Sequence, residues 1–295
     1  MDIRSMRYFL EVAKTKSFTN AARRLYLSPQ ALGKAIREME AEMGQPLFVR
    51  DRRALQLTAF GRSALREAEQ CVSQFDRSLA RISSLAREAA GCVNIVCAYG
   101  IPNALGYESP AVLRRRLRER TGLEVDIAFD ELPDLLAERE LYEESCDLGL
   151  LMGAPEPSAL YETALLRVHR LVAVVAPGHP LAGRESLTVR ELAGYAVASK
   201  NRYYRTYHVL ESCARRQQVT LTYALCSPDD TLWRQKVRAG AVGIGVSFLS
   251  ESALQGGFVV TPFEEEDMVY PIYLARRKDH DMSDALRAVW RTIAE

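Results

Sequence analysis

The chain has 295 residues, 48% of them apolar, and a formal net charge of +1. That length exceeds one ordinary domain and points to two or three, and the apolar share excludes a chain that stays disordered. The near-zero charge hides an asymmetry: residues 1–62 carry 12 Lys and Arg against 6 Asp and Glu, and the remainder carry 27 against 32. A basic head on a mildly acidic body suggests an N-terminal anion-binding module with nucleic acid as its partner.

Asp2, Arg4, Arg7 and Glu11 stand where a secretory signal would be apolar. The longest strongly apolar run, residues 171–176, is far below the roughly 20 residues of a membrane helix. The expectation is a soluble, cytoplasmic protein with no membrane partner. Six scattered cysteines without a Cys-x-x-Cys pair read as small buried hydrophobes in a reducing compartment. A redox pair of Cys213 with Cys226 is the lesser alternative.

In chain order, residues 2–15 form the first expected helix, with Met6, Phe9, Leu10 and Ala13 on one face. Ser17 or Thr19 opens a second, whose core face is Ala21, Ala22 and Leu25. A third begins at Ser28, whose hydroxyl can take an orphan N–H of the first turn, with Pro29 at the first helical position. Leu32, Ile36, Met39 and Met43 then recur at spacings of 4, 3 and 4, one stripe of a 3.6-residue helix. Gln30, Gly33, Lys34 and Arg37 fall on the opposite face, and Gly44 supplies the C-terminal cap. Two helices, a tight turn and a polar outer face with an amide and two cations suit a major groove. The alternative is a helical bundle whose basic face is merely solvated.

Two β-like runs, residues 47–49 and 55–57, flank a charged tip. This wing would carry Arg50, Arg52 and Arg53 to phosphates, to the minor groove, or into solvent. Thr58 caps a long helix to about Arg87, on which Ala68, Val72, Phe75, Leu79, Ile82 and Ala86 alternate by 4 and 3. That heptad seam favours pairing with a second helix, hence a dimer whose two heads meet half-sites about 34 Å apart. Packing against the chain's own body is the alternative.

The motifs Met6-Arg7-Tyr8-Phe9, Ser17 through Ala22, Ser28 through Ile36, Leu47-Phe48-Val49-Arg50 and Leu57 through Gly61 together resemble the head of the LysR-type transcriptional regulators. The resemblance implies DNA contacts from Thr19, Ser28, Gln30, Gly33, Lys34 and Arg37 and from the wing arginines Arg50, Arg52 and Arg53. One departure stands out. The family usually has Ser-Gln followed by Pro or Ser where this chain has Ser28-Pro29-Gln30, which turns the amide by about 100° around the helix. Gly33 stands where a Ser is common.

From Cys92 onward strands and helices alternate, as in α/β units around parallel sheet. Strands are expected at residues 92–98, 123–129, 147–152, 171–176, 195–199, 219–226, 241–246 and 268–275. Helices are expected at 110–120, 132–141, 203–217, 229–239 and 283–293. Cys146 through Leu150, Gly178-His179-Pro180-Leu181-Ala182 and Gly240 through Gly245 resemble marks of the family's effector domain, itself similar to type 2 periplasmic binding proteins. That implies three parts: a winged helix-turn-helix at residues 1–58, a linker and dimerisation helix at 59–88, and an effector module at 92–295. The module would cross twice between subdomains, I (92–163 and 263–295) and II (164–262). A ligand between them, beyond the C-terminal ends of strands, would meet Tyr99, Gly100, Ile101, Phe129 and Met152 on one side. Ser199, Lys200, Asn201, Tyr203 and Ser227 would meet it on the other. Helix N-termini and Lys200 suit a carboxylate effector. Tyr99, Tyr203 and Tyr204 suit an aromatic one, or belong to the core or a subunit contact.

Catalysis finds little footing. His169, His179, His208 and His280 have no metal-like spacing, and the Gly cluster at 240–245 is not a dinucleotide fingerprint. The sequence therefore predicts a non-enzymatic, homo-oligomeric regulator without cofactor or metal. Its partners would be double-stranded DNA, a small-molecule effector, itself and RNA polymerase. Two alternatives are a constitutive DNA-binding regulator with a vestigial pocket and a solute-binding protein.

Overall fold

The computed structural model describes residues 1–51 and 54–295. Arg52 and Arg53 lie outside the described residues, as does the side chain of Arg50. Internal contacts divide the chain into two units, Met1–Ile82 and Ser83–Glu295.

The first unit opens with α1 (Ile3–Thr15), α2 (Phe18–Arg24) and α3 (Pro29–Met43). Each start is fixed by a side chain that takes an orphan backbone N–H: Asp2 accepts from the Ser5 amide at 2.7 Å, Ser17 from Asn20 at 3.3 Å and Ser28 from Ala31 at 3.1 Å. Between α2 and α3 the chain turns through Tyr26, a left-handed residue (φ 55°) that is 96% exposed. Gly44 ends α3 at φ 68°. Strands β1 (Phe48–Asp51) and β2 (Ala54–Leu57) pair antiparallel, Phe48 opposite Leu57, and α4 (Ala59–Ala89) follows. Phe9, Val12, Ala21, Ala22, Leu32, Ile36, Met39, Leu47 and Ala68 form one core. The Phe48 ring seals its edge against Phe9 and Phe18, with centroids 5.5 and 5.9 Å away. Glu40 ties the wing to α3 by accepting from the Leu47 and Phe48 amides at 2.8 and 3.2 Å. At the start of α4, Gly61 passes so close to the Leu47 carbonyl that a Cβ would stand 2.1 Å from its oxygen.

Along α4 the expected heptad seam divides. Ala68 is buried in the head core, whereas Phe75, Leu79 and Ile82 are 40%, 47% and 62% exposed, with Leu85 beside them at 48%.

The second unit contains β3 (Cys92–Ala98), α5 (Ile101–Ala104), α6 (Pro110–Thr121), β4 (Asp126–Leu132), α7 (Asp134–Tyr142) and β5 (Leu148–Met152). Next come β6 (Tyr161–Val175), β7 (Ala196–Ser199), α8 (Arg205–Arg216), β8 (Thr222–Cys226), α9 (Asp230–Arg238) and β9 (Val242–Val246). It closes with α10 (Ser250–Gln255), β10 (Val259–Pro262), β11 (Val269–Arg277) and α11 (Asp284–Ala294). The strand order is β4-β3-β5-β11-β6-β9-β7-β8, with β10 on β6. Two parallel trios, β4-β3-β5 and β8-β7-β9, are joined through the antiparallel strands β11 and β6.

Strand β6 serves both halves. Residues from Tyr161 to Arg170 pair with β11, and those from Leu171 to Val175 pair with β9 and β10. The first crossing thus falls at Arg170–Leu171, beyond the Thr163 expected from the sequence. Residues 162–167 alternate between covered and open faces, a strand pattern that a search for continuous apolar runs passes over. The second crossing lies between Pro262 and Val269. Arg170 ties the two together: its guanidinium donates to the Phe263 and Glu265 carbonyls at 3.3 and 2.8 Å. The Leu171 amide adds a bond to the Met268 carbonyl at 2.8 Å.

Candidate functional site

The first candidate surface is the outer side of α3. Leu32, Ile36 and Met39 are buried beneath it, and Gln30, Lys34 and Arg37 are exposed above. Thr19, at the start of α2, joins Gln30, Gly33 and Arg37 in lining one groove, whose far wall is Val49 and Leu55 of the wing. Gly33 keeps this face low, and the Arg37 guanidinium lies over it, 3.4 Å from where a Cβ would be. Lys34 stands one turn along, 3.7 Å from the Glu38 carboxylate in an exposed pair. Ser28 is spent on the cap, its hydroxyl turned to the helix end.

The second candidate is a cleft of about 450 Å³ between the two halves of the body. Tyr99, Gly100 and Asn103 line it after β3, Glu131 and Asp134 at the β4–α7 junction, and Tyr270 from β11. From the other half come Lys200, Tyr204, Thr206, Pro228, Asp230, Val246 and Phe248. Tyr99 and Tyr204 stack with centroids 6.3 Å apart and planes 19° from parallel. Phe248 meets Tyr270 edge-on at 5.7 Å.

Asp134 latches one end of this cleft. It is 3% exposed, accepts the Arg205 amide at 2.7 Å, and takes the Tyr270 hydroxyl at 3.3 Å. Burial pushes its carboxyl up to about 6, against the pull of those two hydrogen bonds. Next to it the Leu135 amide donates to the Tyr203 carbonyl at 3.1 Å, and the Arg205 guanidinium pairs with Glu138. Burial also pushes the Tyr204 phenol up to about 12 and the Tyr270 phenol well above its usual value. Both stay neutral hydroxyls near neutral pH.

Two family profiles match the chain. One, described as "Bacterial regulatory helix-turn-helix protein, lysR family", covers residues 3–62, and the other, "LysR substrate binding domain", covers residues 98–295. The chain belongs to the LysR family. It is a DNA-binding transcriptional regulator with an effector-binding domain. Among its relatives is "Uncharacterized HTH-type transcriptional regulator YnfL" of Escherichia coli K12, 28% identical over 298 residues, covering 97% of this chain and 96% of the relative. Full-length CbnR, solved in complex with its target DNA, has the same fold with a TM-score of 0.55 at 19% identity, covering 99% of each chain. The effector-binding domain of QuiR, solved with shikimate, superposes with a TM-score of 0.60 at 20% identity over 69% of this chain and 95% of that one. Among the described residues of this LysR chain, no helix is long and apolar enough to cross a membrane.

Within the LysR body the ten expected effector residues separate. Tyr99, Gly100 and Lys200 line the cleft. Ile101 and Met152 are buried in the core, and Phe129 packs half-buried against it. Ser199 is fully buried and its carbonyl accepts the Ser227 amide at 3.1 Å. Asn201, Tyr203 and Ser227 do not line the cleft. Asn201 accepts the Tyr203 amide at 3.0 Å, and the Ser227 hydroxyl accepts the Asp229 amide at 3.1 Å. The rule that ligands sit beyond parallel strand ends finds the right loops but not which residue of each loop turns inward. It also passes over Tyr270, because β11 is antiparallel. Glu131 and Asp134 sat in a stretch divided between an expected strand and an expected helix. Glu131 lies near the end of β4 and Asp134 opens α7, so their signal is a pair of carboxylates spanning a strand-to-helix junction.

Proposed function

We propose that this regulator acts in the cytoplasm as a non-catalytic homo-oligomer that couples an effector to DNA and, through promoter occupancy, to RNA polymerase. Residues 1–58 form the reading head, 59–88 the pairing helix and 92–295 the effector module. Gln30, Gly33, Lys34 and Arg37 face the major groove beside Thr19 and Ser28, and the wing arginines Arg50, Arg52 and Arg53 take backbone or minor groove. The exposed stripe Phe75, Leu79 and Ile82, flanked by Leu85, supports pairing of α4 with a second copy, since water-exposed apolar side chains at heptad spacing gain by mutual burial. Likeness to a shikimate-bound domain supports a small-molecule effector in the cleft lined by Tyr99, Gly100 and Lys200.

One observation carries the reading: Thr19, Gln30, Gly33 and Arg37 line a single groove above a helix whose other face is buried. Fluorescence anisotropy with the promoter fragment upstream of the chain's own gene tests it. Affinity is expected to fall on the order of 10³-fold between about 50 and 200 mM salt, as release of counterions from several phosphates requires. Lys34→Ala with Arg37→Ala is expected to remove preference for that fragment over a scrambled one while the circular dichroism spectrum stays unchanged. Preference retained in the double variant, or affinity indifferent to salt, refutes it.

A further inference from the structure

The wall of the cleft does not have the chemistry of an anion site. A carboxylate or phosphate ligand needs N–H groups or cations able to turn toward it. Here three of those donors are already engaged by carboxylates of the chain itself. The Gly100 amide donates to Glu131 at 3.1 Å. The Arg205 amide, which opens α8, donates to Asp134 at 2.7 Å. Lys200, the one cation among the described lining residues, is held by Asp230 and by the Pro228 carbonyl at 2.9 Å. Even the first turn of α9 is capped from within, Leu232 donating to Asp229 at 2.9 Å. An entering anion would meet three carboxylates against one committed lysine.

The same wall suits a cation. The wall already holds one cation against an aromatic face, Lys200 Nζ lying 5.7 Å from the centroid of the Tyr204 ring, which stacks on the half-exposed Tyr99. Thr206 adds an independent sign. It is 7% exposed, and its hydroxyl has no hydrogen-bond partner among the described residues. A buried hydroxyl without a partner calls for one, and its lone pairs can accept from an ammonium or guanidinium N–H. Thr206 lines both the cleft and an adjoining recess whose apolar wall is Val174, Trp233 and Ile244 and whose charged rim is Lys200, Asp230 and Arg234.

We propose that the effector of this regulator is a small organic cation, an amine or guanidine on an apolar body. Its charge lies against the Tyr99 and Tyr204 faces within the field of Glu131, Asp134 and Asp230 and donates to Thr206, and its body enters the recess beside Trp233. This assignment rests on the cleft being the effector site.

Isothermal titration of the full-length protein with three probes of similar shape tests it: phenethylamine, phenethyl alcohol and hydrocinnamate. The amine is expected to bind at least about tenfold tighter than the acid, with the alcohol between them. Glu131→Gln keeps an acceptor for Gly100 and is expected to weaken the amine about tenfold while leaving the alcohol unchanged. Asp230→Asn releases Lys200 from its countercharge and is expected to move the preference toward the acid. The acid binding tightest to the wild-type protein, or an amine preference that survives when Glu131→Gln and Asp230→Asn are combined, overturns the proposal. If the acid binds and Tyr204→Ala abolishes that binding, the charge assignment fails but the cleft remains the effector site. Binding of none of the three overturns both, and leaves the DNA-reading head untouched.

Discussion

The outer face of α3 and the cleft of the body both hold cations, and they treat them in opposite ways. Lys34 and Arg37 stand in solvent. Lys34 has only the exposed Glu38 at 3.7 Å, a pair worth about 0.3–0.5 kcal/mol, and no carboxylate among the described residues meets Arg37. Lys200 is instead held by a carboxylate and a backbone carbonyl. The first arrangement leaves charge available to a polyanion, whose binding draws its energy from counterion release. The second has settled its charge internally, so recognition there depends on shape, aromatic faces and the carboxylates left over. The net charge of +1 thus hides a head that leaves its cations open and a cleft that pairs its own lysine.

Three substitutions can break or sharpen this contrast. Gly61→Ala should separate the two regions most strongly. Its Cβ would meet the Leu47 carbonyl oxygen at 2.1 Å and carbon at 3.0 Å, a backbone contact that no side-chain rotation relieves. A loss of about 3 kcal/mol from the head is expected. Calorimetry should then resolve an early head transition from an unmoved body transition, and one transition shifted as a whole would show that the two do not melt independently.

Asp134→Asn probes the cleft alone. In the folded protein the carboxyl holds its proton up to about pH 6, against 3.8 for an ordinary Asp, so the fold binds that proton more tightly than the unfolded chain. This group therefore adds stability as pH falls through 6 toward 4, and adds none above. Between about pH 7 and 4.5 the wild-type protein should gain about 2 kcal/mol relative to the variant, read from urea midpoints at each pH. Equal pH dependence in the two proteins would remove the buried carboxyl from the account of the cleft.

Ser28→Ala has the smallest expected effect. It removes the hydroxyl that takes the Ala31 amide at 3.1 Å, at a cost of about 1 kcal/mol to the head. DNA affinity should fall with the order of the first turn of α3, while titration of the cleft is unaffected. An unchanged melting temperature would mean that solvent caps this helix equally well.

The two regions were also unequally legible in the sequence. In the head, function follows from local chemistry. Ser28 and Pro29 start a helix, Gly44 stops it, and a spacing of 4, 3 and 4 fixes which side is buried, so the outward residues follow by subtraction. The cleft is assembled from six stretches of chain that lie far apart in sequence, between Tyr99 and Tyr270. Which residue of each stretch turns inward depends on strand twist and loop geometry set by distant contacts. Ile101 and Tyr99 are two residues apart, yet one is fully buried and the other 49% exposed. Boundaries suffered for the same reason. Strand β4 was expected at residues 123–129, but pairing with β3 places it at Asp126–Leu132. Strand β10 is four residues long and owes its place to pairing with β6, a tertiary contact.

Arg170 has a mechanical consequence. Two polypeptide crossings that moved separately would let the halves of the body both rotate and slide, as two loose cords do. A guanidinium bonded to the carbonyls of Phe263 and Glu265, with Leu171 bonded to Met268, rivets the cords side by side. Sliding would break all three bonds, whereas rotation about the riveted line spares them. The two crossings therefore act as one joint, which resists sliding of the halves more than it resists their rotation.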